Sequence, residues 1–328
     1  MEGVPKFLFS RVRHGDTKRS SASYMTTDLI LPAFAKINLS LRIRKRRSDG
    51  YHDLDTIFQT ISLHDAIKIT VTDNSEIVLS CDDRQLPVDS ENLIVRAARA
   101  FQDRFSVKKG ARLRLEKRIP AGAGLGGGSS DAAVTLLAVA CVWGTAATRQ
   151  DLVEIGAQLG ADVPFFFTGG MARGTGIGDQ VEPLPDMPAN SLLIIKPIAS
   201  ITTADAYKVF DERCLTTGNS KSILSGSQPT DGFDTKSLAS LGNDFEQVVF
   251  DLEPELARAK AALVGAGAQA AMLAGSGSAV FGIFDSEDAQ RRAIQAIELE
   301  TGWRVFPCKT VGRDNYRNAF GDLRQLLA

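Results

Sequence analysis

An α+β architecture in two domains is what this chain of 328 residues predicts. Strand-like and helix-like segments alternate from Leu29 onward, a glycine-rich turn runs into a long apolar helix, and the C-terminal third reads strand–strand–helix–strand. That last order belongs to an α+β sandwich. Composition shifts after Phe167, where Gly, Pro and turn residues take over, so the domain boundary is placed near Arg173. The division is an N-terminal extension at residues 1–28, an N-terminal domain at 29–173 and a C-terminal domain at 174–328.

Leu29–Ala35 and Leu39–Arg44 read as two strands joined across Lys36-Ile37-Asn38. In Ala66–Thr72 the apolar Ile67, Ile69 and Val71 alternate with other residues, the pattern of a half-buried strand. Ile77–Ser80 is expected to pair with it across the Asp73-Asn74-Ser75 turn. Ser90 is placed to cap a helix that gathers Leu93, Ala97, Ala100 and Phe101 on one face. Leu113 and Leu115 mark the next strand, and Ser130–Trp143 is the apolar helix. Thr148, with Asp151 in the first turn, opens a further helix that Gly160 closes. His64, before Asp65, reads as a turn residue, and Trp143 and Trp303 as core aromatics.

In the second half, Gly169–Asn190 is turn-rich and Ser191–Lys196 is a buried strand. Arg213–Thr235, rich in Ser, Thr and Gly, reads as an exposed loop. Pro254 takes the first position of a helix through Leu263. Strands Ala270–Leu273 and Ala279–Phe284 flank Ala274-Gly275-Ser276-Gly277-Ser278. A helix at Asp288–Glu300 and a strand at Trp303–Cys308 complete the order.

Lys and Arg number 38 against 39 Asp and Glu, a formal net charge of −1, which argues against a nucleic-acid binder because that affinity comes largely from cations neutralising phosphates. A chain this long buries enough surface to fold without covalent staples. Cys81, Cys141, Cys214 and Cys308 lie far apart with no C-x-x-C pair, as expected for reduced, mostly buried thiols in a cytoplasmic protein. No apolar run approaches the ~20 residues that cross a bilayer, so no membrane role is expected. The first 28 residues carry five Lys and Arg and a short Ser run but lack the apolar core of a secretory signal. They read as a disordered tail, or as an upstream start with Met25 as the first residue.

The strongest chemical signal is Pro120-Ala121-Gly122-Ala123-Gly124-Leu125-Gly126-Gly127-Gly128-Ser129-Ser130, with five glycines in seven residues. Glycine admits positive φ and lets backbone N–H groups converge on one point, at roughly 0.5–1 kcal/mol each relative to Ala, more than a packing turn requires. The turn feeds a helix N-terminus, where unpaired N–H groups and the dipole favour an anion. Ser129 and Ser130 add hydroxyls suited to phosphate oxygens or magnesium, with Asp131 a third candidate for the metal. A Walker loop is excluded because no Lys follows the glycines. The G-x-G-x-x-G match at Gly122–Gly127 lacks the acid about 20 residues on that a dinucleotide fold needs, since Asp151 lies in a helix's first turn. No H-R-D or D-F-G follows, which excludes a protein kinase.

Residues 120–132 resemble the ATP-binding motif of the GHMP kinases. Pro32-Ala33-Phe34-Ala35-Lys36-Ile37-Asn38-Leu39 and Leu273-Ala274-Gly275-Ser276-Gly277-Ser278-Ala279-Val280-Phe281 resemble that family's first and third motifs. Within it, Asp49–Gln59, Glu91–Ala98, Gly160–Phe165 and Asn243-Asp244-Phe245-Glu246 are similar to the branch that phosphorylates a cytidyl-diphosphate sugar alcohol, from about Leu29 to Lys309. The resemblance implies an N-terminal ribosomal S5 domain 2-like fold and a C-terminal ferredoxin-like α/β sandwich. It implies an ATP- and Mg2+-dependent kinase acting on the 2-hydroxyl of 4-diphosphocytidyl-2-C-methyl-D-erythritol in the non-mevalonate isoprenoid pathway, as a monomer or homodimer.

By the same resemblance Asp162 is the catalytic base and Lys36 its partner. A carboxylate can take the hydroxyl proton, and an ammonium beside it keeps the carboxylate ionised and offsets charge on the transferring group. Residues 120–130 hold ATP phosphates, with Asn92, Leu93 and Lys117 on the adenine side. Tyr51 and His52 read cytosine, Tyr207 after Thr203 offers a second aromatic face, Asn38 holds the methylerythritol group, and Gly275 and Ser276 lie against substrate phosphates. For Tyr207 core packing, and for Lys117 a surface strand charge, are rival readings. Another GHMP small-molecule kinase, acting on homoserine, mevalonate or a sugar, is the alternative; Tyr51-His52 speaks against it.

Overall fold

The computed structural model describes residues 28–216, 241–297 and 301–327. The expected tail up to residue 27, positions 217–235 of the expected loop and the last three residues of the expected helix at Asp288–Glu300 lie outside the described residues.

The chain opens with two long antiparallel strands, β1 (Leu29–Arg46) and β2 (His52–Thr72). Two separate strands were expected in the first stretch, but β1 is continuous. Its pairing with β2 shifts register between Phe34 and Ala35 and between Asn38 and Ser40. Such bulges re-aim side chains without ending the strand, and Asn38, the one residue of Lys36-Ile37-Asn38 with turn chemistry, has its side chain engaged by Lys36 and Thr56 instead. His64 lies inside β2 rather than in a turn, its Nδ1 2.8 Å from the Ser62 carbonyl and its ring against Phe34.

β3 (Ile77–Cys81), α1 (Leu93–Phe105) and β4 (Gly110–Glu116) follow. The expected hairpin between β2 and β3 does not form. β4 takes the edge of β2 antiparallel, pairing Leu115 with Ile67 and Leu113 with Ile69, and β3 joins β4 in parallel on its far side. A parallel pair needs a crossover, and α1 supplies it. The cap of α1 is Asn92, whose Oδ1 accepts from the Ile94 N–H at 2.9 Å, in place of the expected Ser90.

α2 (Gly127–Val142) begins three residues before the expected start and is buried on nearly every side. α3 (Arg149–Leu159) is capped by Thr148 as expected, here in a capping box with Asp151, and ends at Gly160. A short 3-10 turn (Val163–Phe167) buries three phenylalanines. The turn-rich stretch after it contains β5 (Met171–Thr175), paired with β2, and β6 (Gln180–Pro183), paired with β5.

β7 (Ser191–Lys196), α4 (Thr203–Thr216), β8 (Gly242–Asn243), α5 (Glu246–Leu252) and α6 (Pro254–Gly265) come next. β9 (Ala270–Leu273), β10 (Val280–Phe284), α7 (Glu287–Ile297) and β11 (Arg304–Lys309) complete a second, antiparallel sheet of order β11-β7-β10-β9. The first sheet has the order β3-β4-β2-β1-β8. α8 (Arg313–Asn318) and a 3-10 turn (Gly321–Leu327) return to the first core, where Tyr316, Phe320 and Leu327 are buried.

Strand periodicity explains how the halves join, since successive side chains point to opposite faces. On β7, Leu193 and Ile195 face the cluster under the second sheet's helices. Leu192 and Ile194 face a middle cluster that also takes Ala35, Ile37 and Leu39 of β1 and Ala123 and Leu125 of the glycine-rich turn. The turn is therefore anchored in the seam between the halves. Cys81, Cys141 and Cys308 are free, and of these only Cys308 is buried, contrary to the expectation of mostly buried thiols. Among the described residues no helix is long and apolar enough to cross a membrane.

Candidate active site

A cavity of about 610 Å³ opens along this seam, lined by β1, β2, the glycine-rich turn, Asp162, α4 and the β9–β10 turn. The turn owes its path to three glycines at positive φ, Gly122, Gly124 and Gly126. Gly124 is the tightest. A Cβ there would lie 2.0 Å from the Ala274 carbonyl oxygen, so backbone meets backbone and no side chain fits. The β9–β10 turn holds it, Ser278 N–H donating to the Gly122 carbonyl and Ala279 N–H to that of Ala123, both at 3.2 Å. On the other side, Lys36 N–H donates to the Leu125 carbonyl at 2.9 Å.

That last bond puts the Lys36 side chain beside the turn. The ammonium lies 3.2 Å from Asp162 Oδ2 and donates to Asn38 Oδ1 at 2.9 Å, and it sits 5.5 Å above the centre of the Phe58 ring. Lys36 is almost fully buried, whereas the Asp162 side chain keeps 34% of its exposure. The carboxylate is thus paired and still reachable from the cavity. Asn38 is fixed in turn, donating from Nδ2 to Thr56 Oγ1 at 2.7 Å, and Thr56 donates to the Ser40 carbonyl.

A second buried charge cluster closes the loop end. Lys117 bonds both Asp65 and Asp131, and all three side chains are buried. Burial alone would lower the Lys117 ammonium, but the two carboxylates outweigh it and hold it above its usual value. Burial first, and then the charge of Asp65, push Asp131 up to about 7 against the pull of Lys117. Asp65 also accepts from the backbone N–H groups of Arg118 and Ile119, clamping the chain just before Pro120. Asp131 Oδ1 and Ser130 Oγ are buried without a partner.

At the opposite end Tyr51 projects at the rim, 61% exposed. His52 is buried, its ring stacked on Tyr207 at 5.1 Å and 13°. Its Nε2 lies 2.8 Å from Asp211 Oδ1. One face of Tyr207 is therefore taken by His52, and Phe245 packs against the same ring at 4.8 Å in a T-shaped contact. Burial, then Asp162 and Asp211, push the Tyr207 phenol up. Across the mouth the Thr203 and Ser276 hydroxyls are 2.8 Å apart.

Every residue singled out from the sequence lines this cavity except Ser130, which is buried behind the turn. Lys117 is a buried ion-pair centre rather than a surface charge, and Asn92 is also a helix cap. Sequence reasoning missed Asp65, Asp211, Thr56 and Phe58. Asn243-Asp244-Phe245-Glu246, a motif whose sequence alone carries no role, gains one from its contacts. Asn243 Nδ2 donates to the Leu273 and Gly275 carbonyls, Asp244 accepts from Arg42 and the Ile43 N–H, and Glu246 accepts from the Leu273 N–H. The motif braces the β9–β10 turn that in turn holds the glycines.

Among known proteins, the families described as GHMP kinases N terminal domain and GHMP kinases C terminal match residues 92–170 and 233–301. The 4-diphosphocytidyl-2-C-methyl-D-erythritol kinase of Solibacter usitatus (strain Ellin6076) is 45% identical over 290 residues, which cover 88% of this chain and 90% of the relative. A crystal structure of 4-(cytidine 5'-diphospho)-2C-methyl-D-erythritol kinase superposes with TM-score 0.71 at 32% identity, covering 87% of this chain and all of that one. Homoserine kinase from Cytophaga hutchinsonii, at 18% identity and TM-score 0.64 over 90% of this chain and 98% of its own, shares the fold. The identity sustained along nearly the whole chain, together with both matched domains, shows that the chain belongs to the 4-diphosphocytidyl-2-C-methyl-D-erythritol kinase family of GHMP kinases.

Proposed function

We propose that this chain transfers the γ-phosphoryl group of ATP to the 2-hydroxyl of 4-diphosphocytidyl-2-C-methyl-D-erythritol, a step of non-mevalonate isoprenoid synthesis, with Asp162 as base and Lys36 as its electrostatic partner. The observation that carries this reading is the 3.2 Å pair of Lys36 and Asp162 beside the glycine-rich turn, with the carboxylate open to the cavity. Phosphoryl transfer is mostly positioning and charge neutralisation. The turn and the start of α2 offer backbone N–H groups to the phosphates. Asp162 accepts the acceptor hydroxyl's proton as its oxygen bonds to the γ-phosphorus, and the bond to the β–γ bridging oxygen breaks to release ADP. Lys36 keeps Asp162 ionised and faces the charge that develops on the transferring group.

Among the described residues no group of three or more His, Cys, Asp or Glu could hold a metal ion. The oxygen donor at the start of α2 that lines the cavity without a charge partner is the Ser129 hydroxyl, whereas Asp131, two positions on, is paired with Lys117. That suits Mg2+, which binds few protein oxygens and keeps phosphate and water ligands. Ser129 would hold it, and bound there it would neutralise triphosphate charge. Tyr51 and His52 are the cytosine contacts in this reading, with Asn38 at the methylerythritol group. Asn92, Leu93 and Lys117 border the adenine, and Gly275 and Ser276 the substrate's phosphates.

Replacing Asp162 by Asn keeps the shape and removes the base. Turnover is expected to fall by about 10²–10⁴ with ATP affinity nearly unchanged. A coupled assay on the cytidyl substrate, run beside homoserine, mevalonate and galactose, measures this. Near-native turnover of the variant removes Asp162 from the base role, and turnover of one of the other acceptors alone overturns the substrate.

A further inference from the structure

We infer that Asp211 is a positioning residue that sets which base the acceptor end accepts, by fixing the tautomer and the aim of the His52 ring. This rests on the reading above that His52 meets the cytosine.

Three residues of α4 meet that ring. Tyr207 lies parallel to it at 5.1 Å, Phe210 meets it edge-on at 6.2 Å and 87°, and Asp211 bonds its Nε2 at 2.8 Å. Positions 207, 210 and 211 fall on one face of a helix, so α4 presents a ready-made cradle to a side chain from the start of β2. Arg46 approaches the other Asp211 oxygen, Nε to Oδ2 at 3.6 Å. The buried ring is thus stacked, edged and hydrogen-bonded from one element, while it lines the cavity.

The chemistry follows from the atom types. An ionised carboxylate only accepts, so Nε2 must carry the proton. In the neutral ring Nδ1 is then an acceptor. In this inference Nδ1 is the atom offered to the base, and an acceptor there suits the exocyclic amine of cytosine, which donates, and opposes the oxo group that uracil carries at the same position. Without Asp211 the ring can take either tautomer and turn about its own axis, and the preference fades. A site built to hydrogen-bond one group discriminates chiefly through the penalty on a mismatched partner. Asp211 touches neither substrate nor reacting atoms in this account.

The test measures KM and kcat for the cytidyl substrate and for its uridyl analogue in the parent, Asp211→Ala, Asp211→Asn, His52→Ala and the double variant His52→Ala/Asp211→Ala. Asp211→Ala is expected to raise KM for the cytidyl substrate about tenfold, the scale of one positioned hydrogen bond, to narrow the cytidyl-to-uridyl ratio, and to leave KM for ATP and kcat close to the parent's. Asn can still accept from Nε2 and is expected to restore part of the loss. The double variant is expected to be no worse than His52→Ala alone, because Asp211 acts through that ring. If His52→Ala raises KM and Asp211→Ala does not, or if the two effects add in full, the role of Asp211 falls while the cytosine reading stands. If His52→Ala itself leaves KM unchanged, the cytosine reading fails and this inference with it.

Discussion

At the loop end of the cavity the contact surface is backbone: residues 122–128 have no side chain longer than Leu, and Gly124 lies so close to the Ala274 carbonyl that even a methyl would collide. At the end where we propose that the acceptor binds it is side chains, with Tyr51, His52 and Tyr207 delivered from the β1–β2 turn, β2 and α4. The two ends fail differently as a result. Backbone recognition depends on the chain's path, which is locked into the seam by the β9–β10 turn and β1. Ring recognition depends on individual groups that can be removed while the path stays. The loop end should therefore couple binding to folding, and the acceptor end should separate them.

The sharpest way to break this contrast is Gly124→Ala. Its φ of 76° already disfavours any side chain, and the Cβ would sit 2.0 Å from a carbonyl oxygen. The turn must shift, and displacements of about 1 Å at a reacting centre cost on the order of 10²-fold. kcat/KM for ATP is expected to fall by at least that much, with a lower unfolding midpoint. A variant with parental kinetics would mean that the turn does not set the phosphate position.

What could be read in the sequence divides along the same line. Five glycines state a local backbone requirement that no distant residue can alter, so the turn and the helix after it were legible from residues 122–142 alone. The Thr148 cap and the buried strand Ser191–Lys196 were legible for the same reason, being local chemistry and local period. The partner of β3 was not. Ile77–Ser80 fits either β2 or β4 by pattern, and the choice belongs to β4, which must travel through α1 to claim the edge of β2. Lys36 and Asp162, 126 positions apart in sequence, were visible as a pair only through family resemblance. Asp65 and Asp211 were not visible at all. Each is a single carboxylate whose meaning comes from a partner far along the chain, Lys117 in one case and His52 in the other across 159 positions.

A smaller effect on chemistry and a large one on stability is expected from Lys117→Met. The substitution keeps the stem and leaves Asp65 and Asp131 facing each other without a cation, both nearly inaccessible. Removing one partner from a buried ion pair costs about 3–5 kcal/mol because it leaves an uncompensated buried charge, and neutralising the two carboxylates as well removes that charge. Chemical denaturation should show that loss for the single variant and recovery of much of it in Lys117→Met/Asp65→Asn/Asp131→Asn. A single variant as stable as the parent would mean that the cluster does not secure the entry to the turn, and the coupling of folding to binding at this end would lose its basis.

Tyr51 completes the contrast with the smallest expected change. It is 61% exposed and belongs to none of the three buried clusters, so the fold has little stake in it. An aromatic face stacks a base with roughly 1–3 kcal/mol, which makes about a tenfold rise in KM for the cytidyl substrate the expectation for Tyr51→Ala. Tyr51→Phe, which keeps the face and drops the hydroxyl, should stay near the parent. Neither variant should move the unfolding midpoint or KM for ATP. Equal losses in Tyr51→Ala and Tyr51→Phe would assign the contact to the hydroxyl rather than the ring, and a drop in midpoint with Tyr51→Ala would make the acceptor end as dependent on the fold as the glycine-rich turn is.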